Sequence, residues 1–381
     1  VRLYLTTLNP TDSVTRGFLP AARALGCEVT ILTDQPERYP GAETLRTDVR
    51  DARDVIDTIA RHHRPEAIFS NSDHIQPETA LAAAYFGLPG KDWRACLTAK
   101  NKALTRRALA AAGVEVVRSA RLVPGDPPPR DLAYPVVVKP REGVASEDVV
   151  LARDGEELAR AVAGIRARRP GATLVAEEYL EGELRTLETL GDGHEVHVLG
   201  GFRTTLGPLP HFVEERLDWD PVADAHVLRA LGAIGAGFGA CHTEYILTAA
   251  GPRVVEVNYR LIGDTCDFLM AEILGIPLHE QILRVHFGEP VPTPPRVHGH
   301  GAAVSLVADR SGAIKEGPGD VAENAGGVRL RHRALRAPGE VVELTNTNRD
   351  YLGIVRASGP DGRAVERAID GFRARHPWVI E

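Results

Sequence analysis

Apolar positions follow two rhythms along the first quarter of the chain. In RLYLTTLNP (2–10), CEVTILTD (27–34) and EAIFSNSD (66–73) they form short runs bounded by turn formers, as strands do. TDSVTRGFLPAARALG (11–26, ending at Gly26), RDVIDTIARHH (53–63) and QPETALAAAYFGLPG (76–90) carry helix signals instead. Strand and helix alternating in this way predict a parallel sheet with helices on its faces, an α/β unit running to about residue 95.

Further on the rhythm is less regular. KNKALTRRALAAAG (100–113) reads as an amphipathic helix ended by Gly113, and VPGDPPPRDLA (123–133) as a Pro-rich linker that cannot be helical. YPVVVKPREGVASEDVVLA (134–152) predicts strand, loop and strand; DGEELARAVAGIRARRPG (154–171) a helix; TLVAEEYLEGELRTLETLGDG (173–193) a strand, a turn and another strand. Residues 118–182 therefore look like a small α+β insert. After EVHVLGGFRTTL (195–206), a helix over DPVADAHVLRALGAIGAG (220–237), a hairpin and the helix DTCDFLMAEILG (264–275), the pattern changes near residue 298. There it becomes short strands with a final helix, AVERAIDGFRAR (364–375), a mixed α+β region.

Composition narrows the field. The 381 residues suffice for two or three domains, and 43% hydrophobic with 25% charged residues is ordinary for a soluble globular protein. Net charge is −7 with both signs scattered, which argues against nucleic acid or an anionic membrane as partner. No apolar run reaches the roughly 20 residues of a membrane span and no signal-peptide pattern occurs, so the expected location is cytoplasmic. Cys27, Cys96, Cys241 and Cys266 lack C-x-x-C spacing and read as reduced thiols. Of 45 basic residues only five are lysine (Lys91, Lys100, Lys102, Lys139, Lys315), so a lysine in an apolar strand stands out.

The sharpest candidate chemistry lies in RVVEVNYRLIGD (253–264). Strand alternation places Glu256, Asn258 and Arg260 on one face and Val255, Val257 and Tyr259 on the core face. CHTEYIL (241–247) adds Glu244 across the TAAGP turn, making a hairpin with two carboxylates. Glu244, Glu256 and Asn258 are oxygen donors of the kind Mg²⁺ takes, and Arg260 suits a phosphate or carboxylate. The alternative is a solvated strand face with a salt bridge.

Lys139 ends the apolar strand YPVVVKP beside a small-residue loop containing Gly143 and Ser146, where a cation and backbone N–H groups could hold phosphate. The alternative is an edge lysine. Lys102 opens a helix, and AEEYLEGE (176–183) puts carboxylates between apolar residues before a turn at Gly182. GAGFGA (235–240) matches G-x-G-x-x-A but follows a helix and precedes a strand, the reverse of a dinucleotide site. P-loop, zincin and nucleophile-elbow motifs are absent.

Taken in order, NKALTRRALAAAGV, YPVVVKP with its loop, VAEEYLEGE, HTEY and VEVNYR resemble the successive motifs of the ATP-grasp superfamily, over nearly the whole chain. The resemblance implies an N-terminal α/β domain (1–95, with its SNSD and GLPG turns), an ATP-grasp domain (96–297) with a lid at about 118–182, and a biotin-carboxylase-type C-terminal region (298–381). It implies that Lys102 and Lys139 bind ATP phosphates under a loop at 141–148. Glu177, with the backbone around Glu178 and Leu180, would meet adenine. Glu244, Glu256 and Asn258 would hold Mg²⁺, with Mn²⁺ an acceptable substitute, and Arg260 would neutralise an acyl phosphate. Members often have G-x-E where Glu183 here follows Gly182 directly, so Glu183 and Glu188 both stand as ribose contacts.

Such enzymes activate a carboxylate as an acyl phosphate for attack by an amine, and this chain looks most like the L-amino acid ligases. The partners implied are a small-molecule carboxylate and amine, and a homodimer is compatible. Arg203 and His211, in GGFRTTLGPLPHFVEE (200–215), sit where that group often contacts substrate; a surface ion pair and a loop histidine are the alternatives. A bicarbonate-dependent carboxylase and a non-catalytic nucleotide-binding scaffold are the competing functions. No biotinyl carrier motif supports the first, and no metal or phosphate position is missing as the second would require.

Overall fold

The computed structural model describes residues 1–125, 129, 131–295 and 299–381. The core of the Pro-rich linker and the expected boundary at 297/298 lie outside the described residues.

The first 95 residues form the parallel sheet that their alternation predicts. Strands β1 (Arg2–Thr6), β2 (Glu28–Thr33), β3 (Glu43–Arg46) and β4 (Ala67–Phe69) run in the order β3-β2-β1-β4, all parallel. Helices α1 (Leu19–Ala24), α2 (Ala52–Ala60) and α3 (Gln76–Tyr85) cover it. Leu3, Leu5 and Ile31 pack one face against Phe18 and Phe69, while Tyr4, Leu32 and Ile68 pack the other against Val55 and Ile59. Burial on both faces is why these strands read as unbroken apolar runs. β3 was not legible because ETLR has one leucine and no alternation to detect.

Helices α4 (Trp93–Lys100) and α5 (Lys102–Ala111) follow. Asn101 caps α5, accepting from the N–H groups of Ala103 and Leu104 at 3.2 Å each, the terminus satisfaction that favours Asn at this position. Strands β5 (Ser119–Leu122), β6 (Val136–Pro140), β7 (Val150–Ala152) and β8 (Leu174–Glu178) form an antiparallel sheet in the order β5-β8-β6-β7. Helix α6 (Gly155–Arg168) packs Leu158, Val162 and Ile165 onto it. The four strands and α6 all fall within residues 118–182.

The largest sheet is antiparallel. It starts with β9 (Glu183–Asp192), β10 (Val196–Gly200), β11 (Phe202–Leu206) and β12 (Glu214–Trp219), then helix α7 (Ala225–Ile234) and the hairpin β13 (Phe238–Thr248) and β14 (Gly251–Asn258). Helices α8 (Cys266–Leu274) and α9 (Leu278–His286) follow, and strand β15 (His300–Val307) pairs with β12. β16 (Gly312–Glu316), β17 (Val321–Ala325), β18 (Val328–Ala334), β19 (Val341–Val342) and β20 (Tyr351–Gly359) complete the C-terminal strands before α10 (Gly362–Arg375). The sheet order β14-β13-β9-β11-β12-β15-β20-β18-β17 crosses the expected boundary at 297/298 without a break. Pairing β15 with β12 satisfies an edge that two separate sheets would leave open.

Candidate active site

A cavity of about 1090 Å³ opens where the insert, the hairpin, the N-terminal domain and the C-terminal strands meet. That is more than one small ligand fills, and it suits a nucleotide with a second substrate.

Two lysines anchor one end. Lys102, 5% exposed, reaches from the first turn of α5 to Glu256 Oε1 at 2.7 Å. Lys139, at the end of β6 and equally buried, bonds Glu177 at 2.8 Å. One turn beyond Lys102 on α5, Arg106 clamps the same glutamate, Nε to Oε1 at 2.8 Å and NH2 to Oε2 at 3.0 Å. Burial disfavours the Glu177 charge, but Arg106 and Lys139 outweigh it and hold the carboxyl far below its usual range. Burial opposes the Lys102 charge too, yet Glu256 raises its pKa; for Lys139, burial wins over Glu177 and lowers it.

The hairpin supplies oxygen donors. Glu244 on β13 stands opposite Glu256 on β14, and Asn258 Nδ2 lies 3.2 Å from Glu244 Oε1. The register slips between Glu244 and Tyr245, which faces Val254, so Val255 is the extra residue of a β-bulge. This corrects the strict alternation expected from sequence. Val254, Val257 and Tyr259 enter the core, whereas Val255 lines the cavity beside Glu256. β14 also ends at Asn258, so Arg260 reaches the cavity from the loop beyond the strand rather than from its face.

Within the hairpin, His242 of β13 bonds Glu188 of β9 at 2.7 Å and lies 3.5 Å from Glu244. Burial opposes the imidazolium, but the two carboxylates prevail and raise its pKa to about 10. Glu244 is held ionised in return, His242 overcoming the cost of burial. Two carboxylates and a carboxamide are hard oxygen donors that fit Mg²⁺. Among the described residues no three His, Cys, Asp or Glu side chains are gathered so as to hold a metal ion by themselves.

The loop between β6 and β7 is pinned over this end. Ala145, Ser146 and Asp148 have φ of +57°, +52° and +59°, left-handed conformations unusual away from glycine. Arg169 of the α6 end holds Asp148 at 2.9 Å, Asn348 N–H donates to the Ala145 carbonyl at 3.1 Å, and Arg349 pairs with Glu147 at 2.6 Å. Gly143, Ser146, Leu180 and Glu183 all line the cavity. At Gly182 an added Cβ would lie 2.3 Å from the Leu247 carbonyl oxygen, so the β8–β9 turn admits only glycine.

Residues 99–207 match the model of the ATP-grasp domain family. That segment carries the ATP-grasp domain match. The chain is 29% identical over 404 positions to the uncharacterized protein y4rH of Sinorhizobium fredii, covering 100% of this chain and 84% of that one. Dapdiamide A synthase of Enterobacter agglomerans is 23% identical over 203 residues, 49% of this chain and 47% of the relative. Among solved structures, an L-amino acid ligase from Bacillus licheniformis superposes with a TM-score of 0.80 at 20% identity, over 100% of this chain and 98% of that one. That likeness is one of fold, and it extends through the whole chain.

Three residues singled out from sequence, Arg203, His211 and Glu188, do not line the cavity. Arg203 alternates with the buried, cavity-lining Thr204 along β11, so it projects from the opposite sheet face, where its side chain is 52% exposed. His211 precedes the lining residue Phe212 without lining the cavity itself. Of the two ribose candidates, Glu183 lines the cavity and Glu188 is buried against His242. Glu178 lines the cavity too, its carboxylate paired with Arg118 at 2.9 Å.

Other cavity residues gave little sequence signal. Arg106 was hidden among 40 arginines, although its spacing of four from Lys102 puts both on one helix face. Glu214 on β12 and Asp264 after Arg260 also line the cavity. The loop carrying Arg260 is braced from the N-terminal domain. Asn71 Oδ1 accepts from Leu261 N–H at 3.0 Å, and buried Lys91 bonds Gln76 at 2.8 Å and the Tyr259 carbonyl, its ammonium 4.5 Å from the Tyr259 ring centre. Burial lowers the Lys91 pKa to about 8.

Proposed function

We propose that this protein is an ATP-dependent ligase that activates a carboxylate as an acyl phosphate and joins it to an amine, releasing ADP and phosphate. The observation that carries the reading is one cavity holding two buried lysines, an oxygen set fit for Mg²⁺ and Arg260. The relatives that are named as a synthase and a ligase support the same class.

In this reading Lys102 and Lys139 neutralise phosphate oxygens, and the pinned loop at 141–148 covers them. Glu183 would meet a ribose hydroxyl on leaving its ion pair with Arg185, and the backbone around Glu178 and Leu180 would meet adenine, while Glu177 acts by holding Lys139 and Arg106 in position. Glu244, Glu256 and Asn258 would hold Mg²⁺, which supplies charge neutralisation on the transferring phosphoryl group. Arg260 would stabilise the acyl phosphate. Phosphoryl transfer asks mainly for such positioning and charge, so no side-chain nucleophile is required.

The test is a screen of carboxylate and amine pairs for ADP and phosphate, with mass spectrometry of the amide formed. Glu256→Gln and Asn258→Ala should fold normally and lose about 100-fold or more of ADP formation, as removal of one transition-state charge contact does. Near wild-type turnover in either at saturating Mg²⁺ would refute the metal assignment. AMP and pyrophosphate as products would refute the ligase reading, and bicarbonate-dependent ADP release without an organic acid would favour the carboxylase class.

A further inference from the structure

Arg260 is held on both sides by the N-terminal domain. The carbonyl of the residue before it, Tyr259, accepts from Lys91 Nζ at 2.5 Å, and the N–H of the residue after it, Leu261, donates to Asn71 Oδ1 at 3.0 Å. One side chain joins the two holds. Gln76, the first residue of α3 and 4% exposed, accepts from Lys91 Nζ through Oε1 at 2.8 Å. Its Nε2 donates to the carbonyls of Ser70 and Ser72, the residues on either side of Asn71, at 3.0 Å each. The bonds close a circuit through Lys91, Tyr259, Leu261, Asn71 and Gln76, with Arg260 between its two grips.

The chemistry of the joint is exacting. A carboxamide both accepts and offers two donors, whereas a carboxylate only accepts and an ammonium only donates. At Gln76 each capacity meets a partner of the opposite kind, away from water, where a bond left unmade is costly. Lys91 is itself buried, its ammonium 4.5 Å from the centre of the Tyr259 ring, and an added Cβ at Gly239 would lie 3.0 Å from its Cε. A polar network satisfied in this way makes its surroundings rigid.

The circuit ends at the cavity, which Asn71, Ser72, Asp73 and Arg260 line and Gln76 and Lys91 do not. Arg260 NH1 donates to the Leu261 carbonyl at 2.9 Å, so the guanidinium takes its place from the residue that Asn71 holds. Asp73, paired with Lys100, lies 4.0 Å from Arg260 Nε. For a group that must meet a reacting phosphoryl, a displacement of about 1 Å costs on the order of 100-fold in rate.

We propose that Gln76 and Lys91 are positioning residues, through which the N-terminal domain fixes Arg260 for acyl-phosphate formation. This rests on the ligase reading above. Neither residue touches substrate in this role; both act through Arg260.

The experiment uses the full chain. Gln76→Met keeps the length of the side chain and removes both hydrogen-bonding functions; Lys91→Met, which removes the buried charge together with the grip on Tyr259, is measured beside it, so that the failure of one variant to fold leaves the other. Hydrogen exchange read by mass spectrometry over 256–264, without ligands, should show the Leu261 amide exchanging about fivefold faster or more in Gln76→Met, the loss of a fixed acceptor. With a carboxylate and amine pair that elicits ADP, kcat should fall about 10- to 100-fold in each variant while KM for ATP stays within about twofold. In an Arg260→Ala background Gln76→Met should lower kcat by less than about twofold further, because the group it positions is gone. The same loss with and without Arg260 would make Gln76 a structural residue and overturn the proposal, as would wild-type kcat in both variants or an unchanged Leu261 amide. If that amide exchanges faster as expected but no pair elicits ADP from the unmutated chain, the ligase reading fails and the hold on Arg260 stands.

Discussion

The two ends of the cavity treat charge in opposite ways. Around Lys102 and Lys139 each buried charge has its partner in place: Glu256 for the first, and Glu177, shared with Arg106, for the second. Glu214 and Asp264 line the cavity at the other end with no ion-pair partner among the described residues, and Asp264 sits on left-handed backbone. A site that is internally neutralised keeps its shape whether or not ligand is bound, which suits a cosubstrate common to many reactions. A site whose carboxyl groups lack ion-pair partners is completed by its ligand and discriminates by what that ligand offers them.

This contrast breaks most visibly at Arg106. Removing it leaves Glu177 buried with only Lys139, strips Glu115 of its 3.3 Å contact and deprives the Val254 carbonyl of a donor. Arg106→Met should cost about 3–5 kcal/mol of unfolding free energy, the penalty for stranding one partner of a buried ion pair. Urea denaturation measures it; a loss below about 1 kcal/mol would show that this end is not internally neutralised.

At the other end the sign reverses. Burial, then the charges of Glu244 and Asp264, push the Glu214 carboxyl up to about 8, against about 4.3 in an unfolded chain. Between those values the folded protein holds a proton that the unfolded chain has lost. Stability from this group is therefore full below about pH 4.3 and declines as pH rises toward 8, by at most about 1.4 kcal/mol per pH unit. Glu214→Gln should match wild type near pH 5 and exceed it near pH 8 in metal-free buffer. Denaturant midpoints across that range check the slope; a variant less stable than wild type at pH 8 would mean that Glu214 has a partner after all.

What sequence revealed follows the same division. The paired end is built from strand ends and a helix start, where an apolar run or a cap residue locates the charge. Lys139 stands out in YPVVVKP, Lys102 follows the Asn101 cap, and Glu244 and Glu256 alternate with valine and tyrosine. The unpaired end is assembled from positions that nothing local marks. Glu214 is one of two adjacent glutamates in VEE, and Asp264 follows LIG in a loop; only the fold brings both to the lining of one cavity. Val255 was misplaced because one bulge residue shifts the face of its neighbours, which alternation cannot anticipate.

Arg203 sharpens the contrast through the smallest expected effect. It was one of the substrate contacts considered from sequence, with a surface ion pair as the alternative, and Thr204 takes the cavity face of β11 and leaves Arg203 on the other. Its carboxylate neighbours, Glu183 at 3.6 Å and Asp218 at 3.8 Å, are too distant for strong pairing, and half of the side chain is in solvent. Exposed pairs of this kind contribute about 0–1 kcal/mol. Arg203→Ala should therefore shift unfolding free energy by no more than about 0.5 kcal/mol, and KM for ATP and for the acid should each stay within about twofold of wild type, a change in binding energy below about 0.5 kcal/mol. Steady-state kinetics beside the urea midpoint would settle it. A tenfold rise in KM for the acid with unchanged stability would place a substrate contact on the outer sheet face, and specificity would then not reside in the unpaired end alone.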